Sequence, residues 1–318
     1  MKFIDLHVDT LLHVRRNKNE SLLKNTASVD FERMKKGGCA AEFFAIFLLP
    51  QERLSQMEPP VNDAQFIDEM LAVFERDVAA CDDVRFARSF ADFEANEAAG
   101  KMSAFLTFED GRAIDGSLDN LKAWSKRGIS LITLTWSGAN CFGTSCYEDA
   151  ATPLTAFGRE AVAAMNDLRM IIDVSHLSDG GFWDVAKISK KPFVASHSNA
   201  RSLSPHPRNL TDEMLKALGD AGGIAGINFC ANFLNEDTKD NYSTIAAMVR
   251  HAAHIKNIGG AGCVALGSDL DGIRSELEIG CISEMPRLWD ALQKAGFTVS
   301  EIEAAAYGNA KRLMKEVL

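Results

Sequence analysis

Long apolar segments are absent from this sequence of 318 residues. No run approaches the roughly 20 apolar residues that a bilayer-spanning helix needs. Met1 and Lys2 lead directly into the first apolar segment, without the apolar core of a cleavable signal. We therefore expect no membrane partner and no secretory leader, and we expect a cytoplasmic location.

Basic charge is also scarce. Lys and Arg number 34 against 44 Asp and Glu, which leaves a net charge of −10. Nucleic acids and anionic membrane surfaces usually bind basic patches. The charge balance therefore argues against a nucleic-acid partner.

Cysteine pairs with metal-binding or redox spacing are missing. The seven cysteines are odd in number and contain no Cys-x-x-Cys motif. A disulfide framework usually has an even number of cysteines, and a thiolate zinc site usually contains closely spaced pairs. We interpret the cysteines as reduced thiols.

A Gly-rich phosphate loop is missing after the first predicted strand, which disfavours an open dinucleotide-binding sheet. The sequence instead alternates short apolar segments with helical patterns, without a linker or a break in composition. The predicted strands cover residues 3–9, 40–49, 102–108, 129–135, 170–175, 193–196, 224–229 and 264–267. This series predicts a single α/β domain over residues 1–318, a (β/α)8 TIM-like barrel, with an open doubly wound sheet as the alternative.

The first predicted strand carries a pattern suited to metal binding. Strand residues two apart project from the same face, roughly 6–7 Å apart. Residues 3–9 therefore place Asp5, His7 and Asp9 on one face. We expect His7 and Asp9 to reach one metal ion, and Asp5, which lies deeper, to support the ligands.

Polar residues recur at the ends of the predicted strands. In a barrel of this kind the catalytic groups sit on the rim formed by the carboxyl ends of the strands. The candidates there are His7, Asp9, Glu109, His176, His197 and Asp269. Three imidazoles and three carboxylates suit two divalent cations, and such a pair needs a bridging ligand, for which Glu109 is the candidate.

The remaining histidines lie away from the strand ends. His251 and His254 are three residues apart on a predicted helix, and His13 is also off the rim. We expect these to be structural. His206 lies in the loop over residues 198–209, and its role is open at this point.

Several motifs together resemble a known family. They are Asp5-Leu-His7-Val-Asp9, Phe108-Glu109-Asp-Gly-Arg-Ala-Ile-Asp115, Leu131-Ile-Thr-Leu-Thr135, Ile172-Asp-Val-Ser-His176, Ser196-His197-Ser198, Arg208-Asn209 and Gly267-Ser-Asp269-Leu-Asp-Gly272. Over essentially its whole length the sequence resembles the membrane (renal) dipeptidase family, the M19 metallopeptidases. The resemblance implies a barrel of the metallo-dependent hydrolase type with two zinc ions.

The resemblance also implies roles for individual residues. One zinc ion would be held by His7 and Asp9, the other by His176 and His197, with Glu109 between them. Asp269 would transfer protons and contact the substrate. Arg208 would bind the substrate carboxylate, a role implied by the resemblance alone.

One position departs from the family pattern. Members such as the renal enzyme carry a histidine after Leu-Thr-Leu-Thr that is thought to steady the oxyanion, and Trp136 stands there in this sequence. An indole donates one hydrogen bond but carries no charge. We therefore expect Trp136 to form a wall of the substrate pocket.

The expected function is a binuclear zinc dipeptidase that hydrolyses the amide bond of dipeptides and tolerates a D-residue at the C-terminal position. Its partner is a small dipeptide, and a homodimer is an open alternative for its assembly. The rival with the same fold is a metal-dependent amidohydrolase that acts on another small amide. The rival of a different class is a non-catalytic metal-binding relative.

Overall fold

Eight parallel strands form a closed barrel in the computed structural model, which describes residues 1–318. We number them β1 Phe3–Val8, β2 Cys39–Phe47, β3 Met102–Glu109, β4 Ile129–Thr133, β5 Ile171–Asp173, β6 Val194–Ala195, β7 Ile224–Ile227 and β8 Val264–Leu266. They neighbour one another in the order β2-β1-β8-β7-β6-β5-β4-β3, and β3 pairs with β2 to close the ring. The predicted (β/α)8 barrel is confirmed.

Helices follow the strands and surround the barrel. The α-helices are Thr10–Arg16, Phe31–Gly37, Gln51–Ser55, Asp63–Ala79, Phe90–Ala98, Leu118–Arg127, Ala156–Asp167, Asp179–Ile188, Asp212–Asp220, Ala231–Leu234, Ile245–Gly259, Pro286–Lys294, Val299–Glu303 and Asn309–Val317. Many begin at a Ser or Thr whose hydroxyl accepts a hydrogen bond from a backbone N–H of the first turn, as Thr211 does from Met214. None of these helices combines the length and the apolar character that crossing a bilayer requires.

Three further short strands lie outside the barrel and were not predicted. Val84–Phe86 pairs with the first residues of β3, and Tyr242–Ser243 pairs with Glu276–Leu277. They do not lie in apolar runs of the kind that predicted the equally short barrel strands such as Val194–Ala195.

Apolar side chains fill the lower part of the barrel. A cluster of 18 buried residues takes members from all eight strands and from the C-terminal helix Asn309–Val317. Within it, Phe43 and Phe105 stack with their ring centroids 4.6 Å apart. A larger cluster of 71 buried residues completes the hydrophobic core of the chain. The lower part of the barrel therefore serves as a packed core, and the candidate functional groups lie at the carboxyl ends of the strands.

The first strand departs from simple alternation. Its register with β2 shifts between Asp5 and Val8, and Leu6 packs in the barrel cluster while Val8 packs in the larger one. The prediction that Asp5 shares a face with His7 and Asp9 is therefore wrong. The Asp5 carboxylate instead accepts hydrogen bonds from the backbone N–H groups of His7 (3.4 Å) and Ser268 (2.8 Å).

Candidate active site

The structure brings all six predicted rim residues together. They come from the ends of β1, β3, β5, β6 and β8, which lie far apart in the sequence, and none is more than 8% exposed. The six are His7, Asp9, Glu109, His176, His197 and Asp269.

His7 is surrounded by carboxylates. Its Nε2 lies 3.4 Å from Asp9 Oδ2, 3.6 Å from Glu109 Oε2 and 3.9 Å from Asp269 Oδ1. The contacts with Asp9 and Asp269 form one potential ligand group, and the contact with Glu109 belongs to a second group that also includes His197.

Glu109 also faces the other two imidazoles. Its Oε1 lies 3.0 Å from His176 Nε2 and 3.6 Å from His197 Nε2, and these two nitrogens are 3.0 Å apart. One Glu109 oxygen is therefore directed toward His7 and the other toward the His176–His197 pair. This is the arrangement that a carboxylate shared between two ions requires.

The spacing of these atoms fits divalent cations. Two ligands bound roughly 2.1 Å from one ion with tetrahedral geometry lie about 3.4 Å apart, close to the contacts of 3.0 to 3.6 Å around Glu109. His7 Nε2 and Asp9 Oδ1 are buried without a hydrogen-bond partner. Because burying unpaired polar atoms is costly, a bound cation would satisfy this donor set.

The electrostatics of the protein without ions point the same way. Burial and then the nearby Asp9 charge raise the pKa of Glu109, and burial also raises the pKa of Asp269. Burial opposes protonation of His7, but the Glu109 and Asp9 carboxylates outweigh it and raise the His7 pKa well above its usual value. Bound cations would reverse this pattern, because they favour ionised carboxylates and a neutral imidazole.

The other two histidines are held in the neutral state. Burial lowers the pKa of His176 and of His197 well below the usual value, and the charges of Arg208 and His7 add to this effect. A neutral imidazole presents the lone pair that a metal ion needs.

Unusual backbone geometry aims two of the side chains. His176 and Asp269 have φ angles of +68° and +60°, in the left-handed region that non-glycine residues rarely adopt. The Asp269 N–H donates to the His7 carbonyl oxygen, which joins the ends of β8 and β1. Gly272 packs directly against the site, since a Cβ there would lie 2.0 Å from Asp9 Oδ2.

Arg208 lies beside the candidate ligands and is only 2% exposed. Its guanidinium donates to Ser198 Oγ (3.1 Å) and to the His197 carbonyl oxygen (3.2 Å), and it lies over the ring of Phe233. The Nε–H has no protein partner. The guanidinium thus has a fixed position and a spare donor next to the rim.

Trp136 lies at the rim, half-buried between two rings. Its centroid is 4.7 Å from that of Phe47 and 6.3 Å from that of His176. On the Arg208 side, Tyr147 and Phe233 pack against His206 with centroid distances of 6.0 and 4.6 Å. Aromatic side chains therefore flank the candidate site on two sides.

The histidines expected to be structural have their own partners. His251 accepts from the Ala200 N–H and its other ring nitrogen lies 3.0 Å from the Leu234 carbonyl oxygen. His13 pairs with Glu20, and His254 with Asp212, each at 2.7 Å.

Asn228 belongs to the site but was not predicted. Its Nδ2 donates to Asp269 Oδ2 (2.8 Å) and to the His197 carbonyl oxygen (3.1 Å). The sequence prediction extended the seventh strand to residue 229, which placed Asn228 inside a strand. The strand ends at Ile227, so the rule that identified the other rim residues also applies to Asn228.

A closed parallel barrel whose carboxyl-end rim gathers buried imidazoles and carboxylates defines the class of metallo-dependent hydrolases. The model of the membrane dipeptidase family, peptidase family M19, matches residues 1–318, and the chain belongs to this family. The predicted family and the predicted class of enzyme, a metal-dependent hydrolase of peptide bonds, are confirmed.

Similar proteins support this membership. An uncharacterised dipeptidase of Schizosaccharomyces pombe is 30% identical over an alignment of 337 residues, which covers 99% of this chain and 80% of the relative. A metallopeptidase of Rhodobacter sphaeroides, liganded with a phosphinate mimic of the dipeptide L-Ala-D-Ala, is 29% identical with a TM-score of 0.89 over 100% of this chain and 99% of the other. The metallopeptidase dipeptidase AC is 30% identical with a TM-score of 0.88 over 100% and 98%.

Proposed function

We propose that this protein is a binuclear zinc dipeptidase that cleaves the amide bond of dipeptides and accepts a D-residue at the C-terminal position. The observation that carries the proposal is the position of Glu109, with one carboxylate oxygen toward His7 and the other toward His176. In the proposal, His7 and Asp9 hold one ion, His176 and His197 hold the other, and Glu109 is shared.

The metal centre would supply two kinds of chemistry when loaded, activation of a water molecule and polarisation of the scissile carbonyl. The preference for zinc rests on the mixed imidazole and carboxylate donors, which suit Zn²⁺.

Asp269 is the proposed proton carrier. It would accept the proton of the attacking water and pass it to the leaving amine. The hydrogen bond from Asn228 supports this role, since it fixes one carboxylate oxygen while the other faces the rim. The distance of 3.9 Å between Asp269 Oδ1 and His7 Nε2 also allows a role as a ligand, which mutation can test.

Arg208 is the proposed anchor for the substrate carboxylate. A buried guanidinium with an unpaired Nε–H beside the rim supports this role. An anchor at one distance from the metals would select dipeptides, because the carboxylate of a tripeptide lies about 3.5 Å further out. Such a site recognises the carboxylate more than the configuration of the adjacent carbon. The ligand of the Rhodobacter sphaeroides relative is a phosphinate mimic of the dipeptide L-Ala-D-Ala, which agrees with this proposal.

The test is a substrate panel on purified protein with measured metal content. The panel contains L-Ala-L-Ala, L-Ala-D-Ala, the C-terminal amides of both and L-Ala-L-Ala-L-Ala. We expect hydrolysis of both dipeptides and much slower hydrolysis of the amides and the tripeptide. Arg208→Ala should raise KM for the dipeptides and remove their advantage over the amides. Equal rates for dipeptides, amides and the tripeptide would contradict the proposal.

A second candidate is an amidohydrolase for another small amide, and Trp136 is the observation that favours it. The indole stands where family members such as the renal enzyme carry a histidine, and it packs between Phe47 and His176. Turnover of acylated amino acids or lactams, with none of the dipeptides, would support this candidate. Metal binding without turnover of any of these amides would support a non-catalytic relative.

The setting of the protein is part of the proposal. All seven cysteines are free thiols, which suits the reducing cytoplasm. Fractionation of the producing cells tests the location, and light scattering tests whether two copies form a homodimer.

A further inference from the structure

A fully buried carboxylate lies beneath the candidate metal centre and is not one of the predicted metal ligands. Asp173, the last residue of β5, is 0% exposed. Its Oδ1 accepts from the backbone N–H groups of Ser175 (2.9 Å) and Ser196 (2.8 Å). Its Oδ2 accepts from the hydroxyls of Thr133 and Ser196, each at 2.6 Å. With four donors around it, this carboxylate has one defined orientation.

The Ser196 hydroxyl connects this carboxylate to His197. Its Oγ lies 2.6 Å from Asp173 Oδ2 and 2.7 Å from His197 Nδ1. An ionised carboxylate only accepts hydrogen bonds, so the single Ser196 proton is directed to Asp173. The Ser196 oxygen must then accept from His197, which requires a hydrogen on Nδ1.

The consequence appears on the opposite side of the imidazole ring. With its hydrogen on Nδ1, neutral His197 has its lone pair on Nε2. That nitrogen lies 3.0 Å from His176 Nε2 and 3.6 Å from Glu109 Oε1, among the candidate ligands. The backbone N–H of His197 also donates to Ser175 Oγ (3.2 Å), which fixes the main chain at the same residue.

We propose that Asp173 and Ser196 are positioning residues that fix the Nδ1–H tautomer of His197 and so direct its Nε2 lone pair to the metal. This inference rests on the proposed metal centre. Mutation of partners that orient metal-bound imidazoles in this way typically lowers metal affinity by about 10- to 100-fold.

A purely structural role is the competing explanation. Asp173 also ties the ends of β4, β5 and β6 together through Thr133, Ser175 and Ser196. Loss of that role would lower stability without changing which nitrogen of His197 carries the hydrogen. The tautomer therefore distinguishes the two explanations.

Asp173→Asn gives the sharpest test because it reverses the direction of the hydrogen bonds. The two backbone N–H donors keep the amide oxygen at the Oδ1 position, so the amide NH2 replaces Oδ2. That NH2 would donate to Ser196 Oγ, and the Ser196 proton would turn to His197 Nδ1. We expect the His197 hydrogen to move to Nε2, where it blocks the lone pair.

The tautomer is measured in metal-free, ¹⁵N-histidine-labelled protein by ¹⁵N–¹H correlation spectra. The His197 signals are assigned by their absence from His197→Gln. We expect Nδ1–H in the wild type, Nε2–H in Asp173→Asn and a mixture in Ser196→Ala. Unchanged Nδ1–H in both variants would overturn the proposal.

Metal affinity is the second measurement, made by competition of Co²⁺ and Zn²⁺ with a chromophoric chelator. We expect about a 10- to 100-fold loss in Ser196→Ala and at least as large a loss in Asp173→Asn. The matched control is Ser130→Ala, which removes a buried serine hydroxyl on β4 that donates only to the Leu106 carbonyl oxygen. Affinities of Ser196→Ala and Asp173→Asn that equal the wild-type value would refute the proposed positioning role.

Metal binding by the wild type separates this inference from the proposed function. If the wild type binds neither Co²⁺ nor Zn²⁺, the proposed metal centre is refuted. The tautomer measurement still tests whether Asp173 and Ser196 place the hydrogen on His197 Nδ1. If one variant fails to fold, as judged by circular dichroism, the other variant carries both measurements.

Discussion

Glu109→Gln tests the shared ligand at the centre of the candidate site. The substitution keeps the shape of the side chain and removes its charge. Each Glu109 oxygen faces a different imidazole, at 3.0 Å from His176 Nε2 and 3.6 Å from His7 Nε2. The substitution should therefore weaken both ion positions at once.

The size of the effect follows from the charge. A unit charge about 4 Å from another contributes about 4 kcal/mol at an effective dielectric constant of 20, equivalent to roughly 10³-fold in affinity. Because Glu109 would lie closer than this to each ion, we expect the affinity for the more weakly held ion to fall by at least about 10³-fold. The metal-free fold should not suffer, because burial already raises the pKa of Glu109 and disfavours its charge.

The assay is metal content after gel filtration in the presence of a chelator, with thermal unfolding of the metal-free protein as a check on the fold. We expect two retained ions in the wild type, at most one in Glu109→Gln, and similar unfolding temperatures. Asp110→Asn is the matched control, because Asp110 is adjacent but pairs with Arg112 and Asn140 outside the ligand set. Two tightly held ions in Glu109→Gln would refute the bridging role.

Three further predictions concern catalysis and pH. Asp269→Asn should retain both ions and lower kcat by about 10²-fold or more, the usual scale for a positioned acid–base group; loss of metal would make Asp269 a ligand instead. Trp136→Phe should change KM or side-chain selectivity more than kcat, since the ring flanks His176; a fall in kcat alone would assign the indole N–H to the transition state. Metal affinity should fall as the pH drops from 8 to 6, because protons held by the raised pKa values of His7 and Glu109 must leave when an ion binds. Competition titrations at several pH values check this, with about a tenfold loss per pH unit for each displaced proton; an affinity independent of pH would show that both ligands are already deprotonated.

The sequence by itself determined the features that depend on neighbouring residues. The alternation of strand and helix patterns follows from local hydrophobic periodicity, and it predicted the barrel correctly. The rule that strand ends carry chemistry then selected His7, Glu109 and His176 without any knowledge of distances. Family motifs added Arg208, whose buried position near the rim no local pattern indicates.

Errors in the sequence interpretation arose where geometry depends on neighbouring strands. Alternation placed Asp5 on the face of His7, but the register with β2 shifts between Asp5 and Val8. The predicted seventh strand, residues 224–229, extends two residues beyond the observed end at Ile227, so Asn228 was not recognised as a strand-end residue. In the first case pairing with a strand distant in the chain overrides the period-2 pattern, and in the second the apolar segment continues past the last strand residue.

Only the tertiary structure decided which groups meet and how they point. The hydrogen bond from the Asp269 N–H to the His7 carbonyl exists because barrel closure joins the last strand to the first. The positive φ angles of His176 and Asp269 are likewise seen only in the folded structure. The path from Asp173 through Ser196 to His197 likewise crosses between β5 and β6. Contacts of this kind depend on strand order and register, which are set by packing over the whole chain, so no short segment of the sequence contains them.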